Sequence, residues 1–146
     1  MTIEDAFDID APLDRVWPVL NDVPRVATCI PNAEITEIVD ATTYRAKVSV
    51  KVGPVNVGYN ATIKVVSIDE ATHTATIDIT GNESKGRGGM RAQVTSHAEA
   101  VDGRTHVTLQ TQAQISGVVA TVGGRLIESV ARKTVADFAK KLTALV

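Results

Sequence analysis

The sequence predicts an α+β fold in which a curved antiparallel sheet of seven strands wraps around a long C-terminal helix. Three patterns predict it. From about residue 33 to residue 116, apolar residues alternate with polar ones, which is the period of strands with one buried face. After Gly117 the apolar residues recur every three or four positions, as in an amphipathic helix. Residues 12–30 have the same helical spacing and follow a first short strand.

Length, composition and charge exclude several classes of protein. A chain of 146 residues supports a single core, so we expect one domain, residues 1–146. The 15 Lys and Arg residues do not outnumber the 17 Asp and Glu residues, so we expect no nucleic-acid partner. One cysteine and three scattered histidines predict neither a disulfide nor a metal site. The acidic start resembles no signal peptide, and no stretch is apolar enough to cross a bilayer, so we expect a cytoplasmic protein.

Two short helices are predicted after the first strand. Residues 7–10 alternate apolar and acidic side chains and predict the strand, and Pro12 begins the first helix. Asp22-Val-Pro24 interrupts that helix, and a second one is expected to end at Pro31-Asn32, where asparagine tolerates a positive φ. The second helix has no cluster of Arg or Asn, so the pair is interpreted as a structural clamp rather than a DNA reader.

The remaining six strands are separated by recognisable turns. One begins near Ala33, and the others are predicted over residues 44–52, 55–65, 75–79, 90–100 and 107–115. Turns are predicted at Gly53-Pro54, Asp69-Glu70 and Asp102-Gly103. Residues 81–89 are rich in glycine and polar side chains and predict a loop.

The C-terminal helix is predicted to run about six turns, from Val122 to Leu142. Thr121 is the expected N-cap. The pair Gly123-Gly124 weakens the first turn, so we expect another element to approach closely there. The apolar stripe of this helix has to be buried, and the inner face of the sheet is its natural partner.

The row of side chains predicted to face this helix is unusually small. Its small members are Ala46, Ala61, Ala75, Gly81, Ala92, Ser96, Ala98, Ala100 and Ala113. If these side chains leave the enclosed volume unfilled, an apolar ligand would complete the packing, because protein interiors are close-packed. The helix could instead sit closer to the sheet, and composition alone leaves both alternatives open.

Several motifs, in order along the whole chain, resemble one known family. They are Phe7-Asp-Ile-Asp-Ala-Pro12, Val16-Trp17, Leu20-Asn-Asp22, Cys29-Ile-Pro-Asn-Ala-Glu34, Val52-Gly-Pro-Val55 and Gly124-Arg-Leu-Ile-Glu-Ser-Val-Ala131. The sequence is similar to the CoxG family, the G subunits of carbon monoxide dehydrogenase, within the helix-grip superfamily that is also called SRPBCC or START-like. Asn32 departs from the family pattern, which usually has glycine there.

The resemblance implies a deep apolar cavity and a partner, a molybdenum-containing carbon monoxide dehydrogenase whose electrons reach the respiratory quinone pool. The implied ligand is menaquinone or ubiquinone, held as cargo and not as a covalent cofactor. Each buried CH₂ gains ~0.8 kcal/mol in a pocket as in a bilayer, so exchange of the isoprenoid tail should be nearly neutral. The resemblance also implies transient contact with the cytoplasmic face of the membrane and recruitment of the dehydrogenase there. Relatives often continue into a membrane-directed tail; this sequence ends at Val146, and we expect no anchor among these residues.

The candidate ligand-binding residues are mostly apolar side chains predicted to face the cavity. They are Trp17, Leu20, Val26 and Ile30 on the two short helices, Tyr59, Ile77, Ile79, Met90, Ala92, Val94, Leu109 and Ile115 on the sheet, and Val118, Val119, Val122, Leu126, Ile127 and Val130 at the start of the last helix. Tyr59 is expected to offer a hydrogen bond to a quinone carbonyl, or else to be a core tyrosine with its hydroxyl at the surface. Trp17 is expected at a lid edge, or in ordinary packing.

Charge predicts two contact surfaces. Lys85, Arg87 and Arg91 combine positive charge with flexible glycines and are candidates for contact with anionic lipid or an acidic partner. The alternative is a solvated hairpin tip. Residues 1–40 carry nine acidic and two basic side chains, so we expect an acidic docking face near that part of the chain.

No catalytic group is predicted. His73, His97 and His106 have no partner at the spacing of a triad, and Cys29 is expected to be a buried thiol. The inward rows are expected to lack an acid–base pair. We therefore expect a binding protein and not an enzyme. Two alternatives stay open: a cyclase or hydrolase of the helix-grip type, and an assembly or anchoring factor that binds no ligand.

Overall fold

A computed structural model describes all residues, 1–146. Strand β1 (Thr2–Ile9) is followed by helices α1 (Leu13–Leu20) and α2 (Val23–Ala27). Six strands come next: β2 (Ala33–Asp40), β3 (Thr43–Val52), β4 (Val55–Asp69), β5 (Thr74–Glu83), β6 (Gly89–Val101) and β7 (Arg104–Ile115). A 3₁₀ segment (Val119–Val122) leads into the long helix α3 (Gly124–Leu145).

The seven strands form one antiparallel sheet in the order β1-β7-β6-β5-β4-β3-β2. Two features curve it. Pairing shifts by one residue between Val65 and Ser67 on β4, and β2 is interrupted twice in the same way, and such bulges increase local twist and bend the strand. The predicted α+β class and the curved seven-stranded sheet around a C-terminal helix are confirmed.

The two ends of the sheet carry different elements. At the hairpin end lie the turn 53–54, the tip 84–88, the segment 116–123 and the start of α3; there the Cδ2 atom of Leu126 lies 3.0 Å from the position a Cβ would occupy on Gly53. At the opposite end, the α1 end, α1 and α2 cover the sheet and meet the end of α3. The Arg25 guanidinium donates to the carbonyl of Leu145 there (3.5 Å).

The predicted turns use residues that accept a positive φ. Gly53 (φ 59°) turns β3 into β4, and Asp102 (φ 53°) and Gly103 (φ 78°) form the two-residue connection between β6 and β7. Asn32 (φ 61°) occupies the turn before β2, as expected for asparagine.

Three local predictions are wrong. Residues 81–89 are not all loop: β5 continues through Glu83 and β6 begins at Gly89, so the loop is limited to residues 84–88. The second helix ends at Ala27, before Pro31. Thr121 does not cap α3, because its hydroxyl donates to the carbonyl of Val118 (2.6 Å) inside the 3₁₀ segment.

Gly123 immediately precedes α3, and its backbone conformation requires a glycine at this position. Its φ is 91°, a value that side chains with a Cβ rarely adopt, and no atom lies near the position of a Cβ there. The close approach expected at this glycine pair is therefore absent from Gly123, and a Cβ on Gly124 would meet only Met1 Cε, at 3.4 Å.

The α1 end is closed by a compact apolar cluster. Ile9, Val16, Cys29 and Leu142 are fully or almost fully buried in it, and α3 contributes Leu142 from its last turns. Cys29 is a buried free thiol, as expected. Phe7 and Phe138 pack against the cluster, and their rings meet edge to face with centroids 5.9 Å apart. This cluster fixes the C-terminal half of α3 to the rest of the fold.

We predict that Leu142→Ala lowers the free energy of unfolding by about 3 kcal/mol, because it leaves a cavity in this cluster. The matched variant is Leu126→Ala on the same helix, at a side chain that is 37% exposed. It should cost less than about 1 kcal/mol. Urea denaturation of both variants measures the difference. Equal losses would contradict the placement of the cluster at the C-terminal end of α3.

Candidate functional site

The inner face of the sheet is apolar but only half-buried at its centre. Strand register brings side chains of neighbouring strands together there: Ile63 and Ala92 flank Ile79, and Val65 and Val94 flank Ile77. Ala92 is buried, whereas the other side chains in these two rows are incompletely covered. Apolar side chains at the centre of a sheet face are normally covered by the opposing layer. Here the opposing layer leaves them accessible.

The buried side chains form three separate clusters. One closes the α1 end, a second surrounds Trp17, and a third lies at the hairpin end around Val52, Tyr59 and Val119. The residues at the centre of the inner face neither belong to these clusters nor pack against them: Ile63, Val65, Ile77, Ile79 and Val94. A domain of this size usually has one contiguous core. Here the two clusters at the α1 end are joined by Phe7 and Leu20, whereas half-buried apolar surface separates them from the cluster at the hairpin end.

Helix α3 contacts the sheet mainly at one edge. It packs chiefly against β1, with lesser contacts to β3 and to the 3₁₀ segment. Arg132 fastens it there, because its guanidinium donates to the Asp5 carboxylate (3.4 Å) and to the Glu4 carbonyl (3.3 Å). A hydrogen bond from Arg132 to Glu128, with a smaller effect of Asp5, raises the pKa of that guanidinium. The Arg132 guanidinium therefore stays charged and holds α3 over β1.

Tyr59 is a polar group within the apolar inner face at the hairpin end. Its ring leans over Gly81, where a Cβ would lie 3.6 Å from Tyr59 Cδ1 and 3.1 Å from Met90 Cγ. The Tyr59 hydroxyl has no hydrogen-bond partner in the protein, and it is not sealed from solvent. Burial, and then the charge of Glu83 opposite it on β5, raise the pKa of the Tyr59 phenol. The hydroxyl is therefore neutral and free to donate.

Glu83 is a buried carboxylate in a segment that the sequence predicts to be a loop. Its side chain lies on the inner face and accepts hydrogen bonds from the backbone N–H of Gly88 (2.7 Å) and of Val118 (3.2 Å). It thereby joins the tip 84–88 to the segment that leads into the 3₁₀ helix. A Cβ on Gly88 or Gly117 would lie 2.7 Å or 2.8 Å from this carboxylate, so both glycines are needed to surround it.

Two carboxylates that the sequence patterns did not reveal lie on the inward rows. Asp5 and Glu83 both face inward, Asp5 opposite Leu109 on β7 and Glu83 opposite Tyr59 on β4. Both were identifiable in principle, because each continues a two-residue alternation with apolar neighbours on its own strand. Each is already hydrogen-bonded, Asp5 to Arg132 and Glu83 to backbone N–H groups.

The candidate binding residues fall at three places. The sheet residues Ile77, Ile79, Met90, Ala92, Val94, Leu109 and Ile115 share the inner face with Tyr59. Val119 is buried in the cluster at the hairpin end, with Val122, Ile127 and Val130 packed on it, whereas Val118 and Leu126 are exposed. Trp17 and Leu20 lie in the second cluster at the α1 end, and Val26 and Ile30 are half-buried beside it. The structure thus separates Trp17 from Tyr59.

Trp17 is fixed in place by polar as well as apolar contacts. Its indole N–H donates to the Glu70 carboxylate (2.6 Å), and the His73 ring meets it edge to face at 5.2 Å. Its ring packs on Ala75, Ala98 and Val107. This arrangement closes the α1 end of the inner face.

The basic candidates do not lie together. Lys85 and Arg87 are exposed at the tip 84–88, while Arg91 is exposed on the outer face of β6, opposite Thr80 and Gln114. Grooves on the outer face of the sheet are polar: one of about 700 Å³ is lined by Asp78, Arg91 and Gln93 among others, and one of about 610 Å³ by Asn32, Lys47 and Asn60 among others. The apolar lining is confined to the inner face.

The histidine side chains form only isolated polar pairs. His97 pairs with the Thr74 hydroxyl (3.2 Å) and His106 with the Asp8 carboxylate (2.8 Å), both on the outer face. No three His, Cys, Asp or Glu side chains are placed to hold a metal ion. None of the helices is both long and apolar enough to cross a bilayer.

Solved structures share this fold across nearly the whole chain. A conserved protein from Geobacillus kaustophilus has a TM-score of 0.87 at 23% identity, covering 99% of this chain and 93% of that chain. The ZhuI aromatase/cyclase from Streptomyces sp. R1128 gives 0.62 at 17%, covering 99% and 92%. A protein from Thermus thermophilus gives 0.68 at 12%, covering 99% of each. At these identities the likeness establishes the helix-grip fold alone.

A search of curated proteins by sequence found no match. The family model of the carbon monoxide dehydrogenase G subunit (CoxG) matches residues 6–146. Together, this family and the helix-grip fold suggest that the chain binds a hydrophobic ligand. Because the match spans nearly the whole sequence, and because the fold is the one that the resemblance implied, the chain belongs to the CoxG family of carbon monoxide dehydrogenase G subunits.

Proposed function

We propose that this protein binds a respiratory quinone between the sheet and α3, and carries it between the membrane and a molybdenum-containing carbon monoxide dehydrogenase. One observation carries the proposal: the apolar centre of the inner face, around Ile63, Ile79 and Val94, is half-buried and separates the buried cluster at the hairpin end from the two at the α1 end. Exposure of this apolar surface to water is unfavourable, and an apolar ligand bound between the sheet and α3 would cover it.

The chemistry of a quinone fits the groups along this face. Its isoprenoid tail needs an apolar surface, which the inner rows of β4 to β7 supply. Its ring carries carbonyl acceptors, and Tyr59 offers a neutral hydroxyl donor with no partner in the protein. Transfer of the tail from bilayer to protein exchanges one apolar surrounding for another, so loading and release are both thermodynamically accessible.

The partner is inferred from the family. CoxG proteins are named as components of carbon monoxide dehydrogenase, so we propose that enzyme as the protein that receives or reduces the quinone. We place the exchange at the cytoplasmic face of the membrane, to which the carrier would also recruit the dehydrogenase. The quinone is cargo in this scheme, with no covalent link to the chain.

Catalysis by the chain itself is the alternative. It would need an acid and a base converging on one point of the inner face. Asp5 and Glu83 lie on β1 and β5, which are separated by β6 and β7, and each already holds its own hydrogen-bond donors. This separation supports a binding role over a cyclase or hydrolase role.

Organic extraction of the purified protein, followed by mass spectrometry of the extract, tests the proposal directly. We expect a menaquinone or ubiquinone in an amount comparable to that of the protein. A different lipid would overturn the quinone assignment and keep the apolar site. An empty extract, together with no uptake of added short-tailed menaquinone, would favour the assembly-factor alternative.

We predict that Val94→Trp weakens binding of a short-tailed menaquinone at least about tenfold, because the indole fills the inner space that the tail needs. Gln93→Trp is the matched control: it places the same side chain one residue away on the exposed outer face. Equilibrium dialysis measures both affinities, and urea denaturation checks the fold. Unchanged binding in Val94→Trp, or equal loss in both variants, would contradict a site on the inner face.

We predict that Tyr59→Phe weakens quinone binding about threefold to tenfold, the effect of one lost neutral hydrogen bond. Tyr44→Phe is the control, because the Tyr44 hydroxyl already donates to the carbonyl of Ala41 (3.2 Å). The same dialysis measurement applies. If the two variants bind alike, Tyr59 does not contact the ring.

Tyr59 should also show the raised pKa in a titration. Burial favours the neutral phenol, so folding is stabilised by this group below the ordinary pKa of 10.0, and that contribution is lost as the pH rises through the higher folded value. The tyrosinate absorbance of the wild type is measured against pH, and that of Tyr59→Phe is subtracted from it. We expect this difference to rise with a midpoint above pH 10.0. A transition below that pH would contradict the environment described for Tyr59.

A further inference from the structure

Positive charge collects at the hairpin end. Lys51 at the end of β3, Lys85 and Arg87 on the tip 84–88, and Arg125 in the first turn of α3 are all exposed, and none of them forms an ion pair. The turn 53–54, the tip 84–88 and residues 116–127 contain no acidic residue, and Glu83 beside the tip is buried at 8% exposure. These segments therefore present cations to solvent with no exposed carboxylate of their own, and the exposed Glu34 lies in a groove beside Ser84.

Exposed apolar side chains lie at the same end. Val118 is 49% exposed just before the 3₁₀ segment, and Leu126 is 37% exposed in the first turn of α3. Leu126 lies against Gly53, and the backbone N–H of Val118 donates to Glu83. Lys85 and Val118 line one groove at this end, and exposed apolar side chains beside cations are typical of a surface that meets a bilayer interface.

The α1 end carries the opposite charge. Asp40, Asp69, Glu70 and Asp102 are exposed in the three turns there. Backbone N–H donors hold the pKa of two of these carboxyls below its usual range, that of Thr42 for Asp40 and that of Thr72 for Asp69, so both stay ionised. Exposed cations also lie toward this end, among them Arg25, Lys140 and Lys141, so the contrast with the hairpin end concerns the turns and not the whole surface.

This contrast separates the hairpin end from the other exposed apolar side chains. Ile38, Val39, Val66 and Ile68 are also exposed, but they lie on the strand ends that lead to Asp40 and Asp69. An anionic surface would repel that region. Charge therefore selects the hairpin end as the one suited to an anionic partner.

We propose that the hairpin end docks on the surface of an anionic lipid bilayer, with Lys85, Arg87, Lys51 and Arg125 among the headgroups and Val118 and Leu126 reaching the acyl boundary. Polybasic segments are attracted to anionic leaflets, and apolar side chains add affinity by burial at the interface. The contact is peripheral and reversible, since it rests on a few cations and two apolar side chains.

This surface deepens the proposed function, which places the exchange at the membrane, but docking itself does not depend on quinone. Docking would nonetheless bring the 3₁₀ segment and Val119, which close the inner space at this end, against the lipid. Gly117 (φ 90°) and Gly123 (φ 91°) flank that segment. A lipid cargo could then move between bilayer and protein without crossing water.

Vesicle co-sedimentation tests the docking surface, with phosphatidylcholine vesicles that contain or lack phosphatidylserine and no quinone. We predict that the wild type binds only when phosphatidylserine is present. The double variant Lys85→Gln/Arg87→Gln should bind about 25-fold more weakly, at about fivefold for each cation removed. The matched control Lys140→Gln/Lys141→Gln removes two exposed cations near the other end of α3 and should stay within about twofold of the wild type.

A second arm tests the apolar contribution. Val118→Ser should weaken binding to the phosphatidylserine vesicles about threefold or more, while its unfolding by urea stays unchanged, because the side chain is half-exposed in the free protein. Equal weakening by the two double variants would overturn the proposal, since net charge alone would then explain it. Absence of binding to either vesicle would also overturn it. Because no quinone is used, this result is independent of cargo binding.

Discussion

The width of the sheet is the constraint from which the rest of the structure follows. Neighbouring strands lie about 4.8 Å apart, so seven of them span about 29 Å, whereas a helix with its side chains is about 10–12 Å across. One helix cannot cover such a face, even when the face is curved. Helix α3 packs chiefly on the β1 edge, held by Arg132 and Asp5, and α1 covers β6 and β7 only at the α1 end, so the middle of the inner face is incompletely covered. The small inward residues, such as Ala61, Gly81 and Ala92, make the uncovered space larger.

The two ends of this space are closed in different ways. At the α1 end, closure is by apolar packing around Leu142 and by the anchored Trp17. At the hairpin end, closure depends on the 3₁₀ segment, which inserts Val119. The Val118 N–H at the start of this segment donates to the Glu83 carboxylate, which also accepts from the Gly88 N–H of the tip 84–88. Segments with few buried apolar contacts open at lower free energy than packed clusters. The hairpin end is therefore the end at which we expect opening, and it is also the end that carries the exposed cations.

The spacing of apolar residues in the sequence predicts the order of the strands and helices, but it does not predict the polar residues of the site. The alternation of strands and the three- to four-residue spacing of α3 predict the element order, because both report which side chains meet the core. Glu83 was missed because the nearby glycines and polar residues indicate a loop, although Glu83 keeps the phase of Ile77 and Ile79. Tyr59 and Glu83 become neighbours only through the register of β4 and β5, which a bulge after Val65 shifts by one residue. No local pattern predicts that shift.

The position of Tyr59 also bears on how a carrier would work. It lies at the hairpin end, and the apolar surface runs from there toward Trp17, so a quinone held by Tyr59 has its ring at the end that we assign to the membrane. A dehydrogenase bound only at the acidic end would be separated from that ring by much of the length of the sheet, whose strand β4 has 15 residues and spans about 50 Å at 3.3 Å per residue. Electron exchange with the ring thus requires the dehydrogenase to meet the hairpin end as well. Bilayer and enzyme would then use that end in turn, which is the behaviour of a shuttling carrier and not of a fixed bridge.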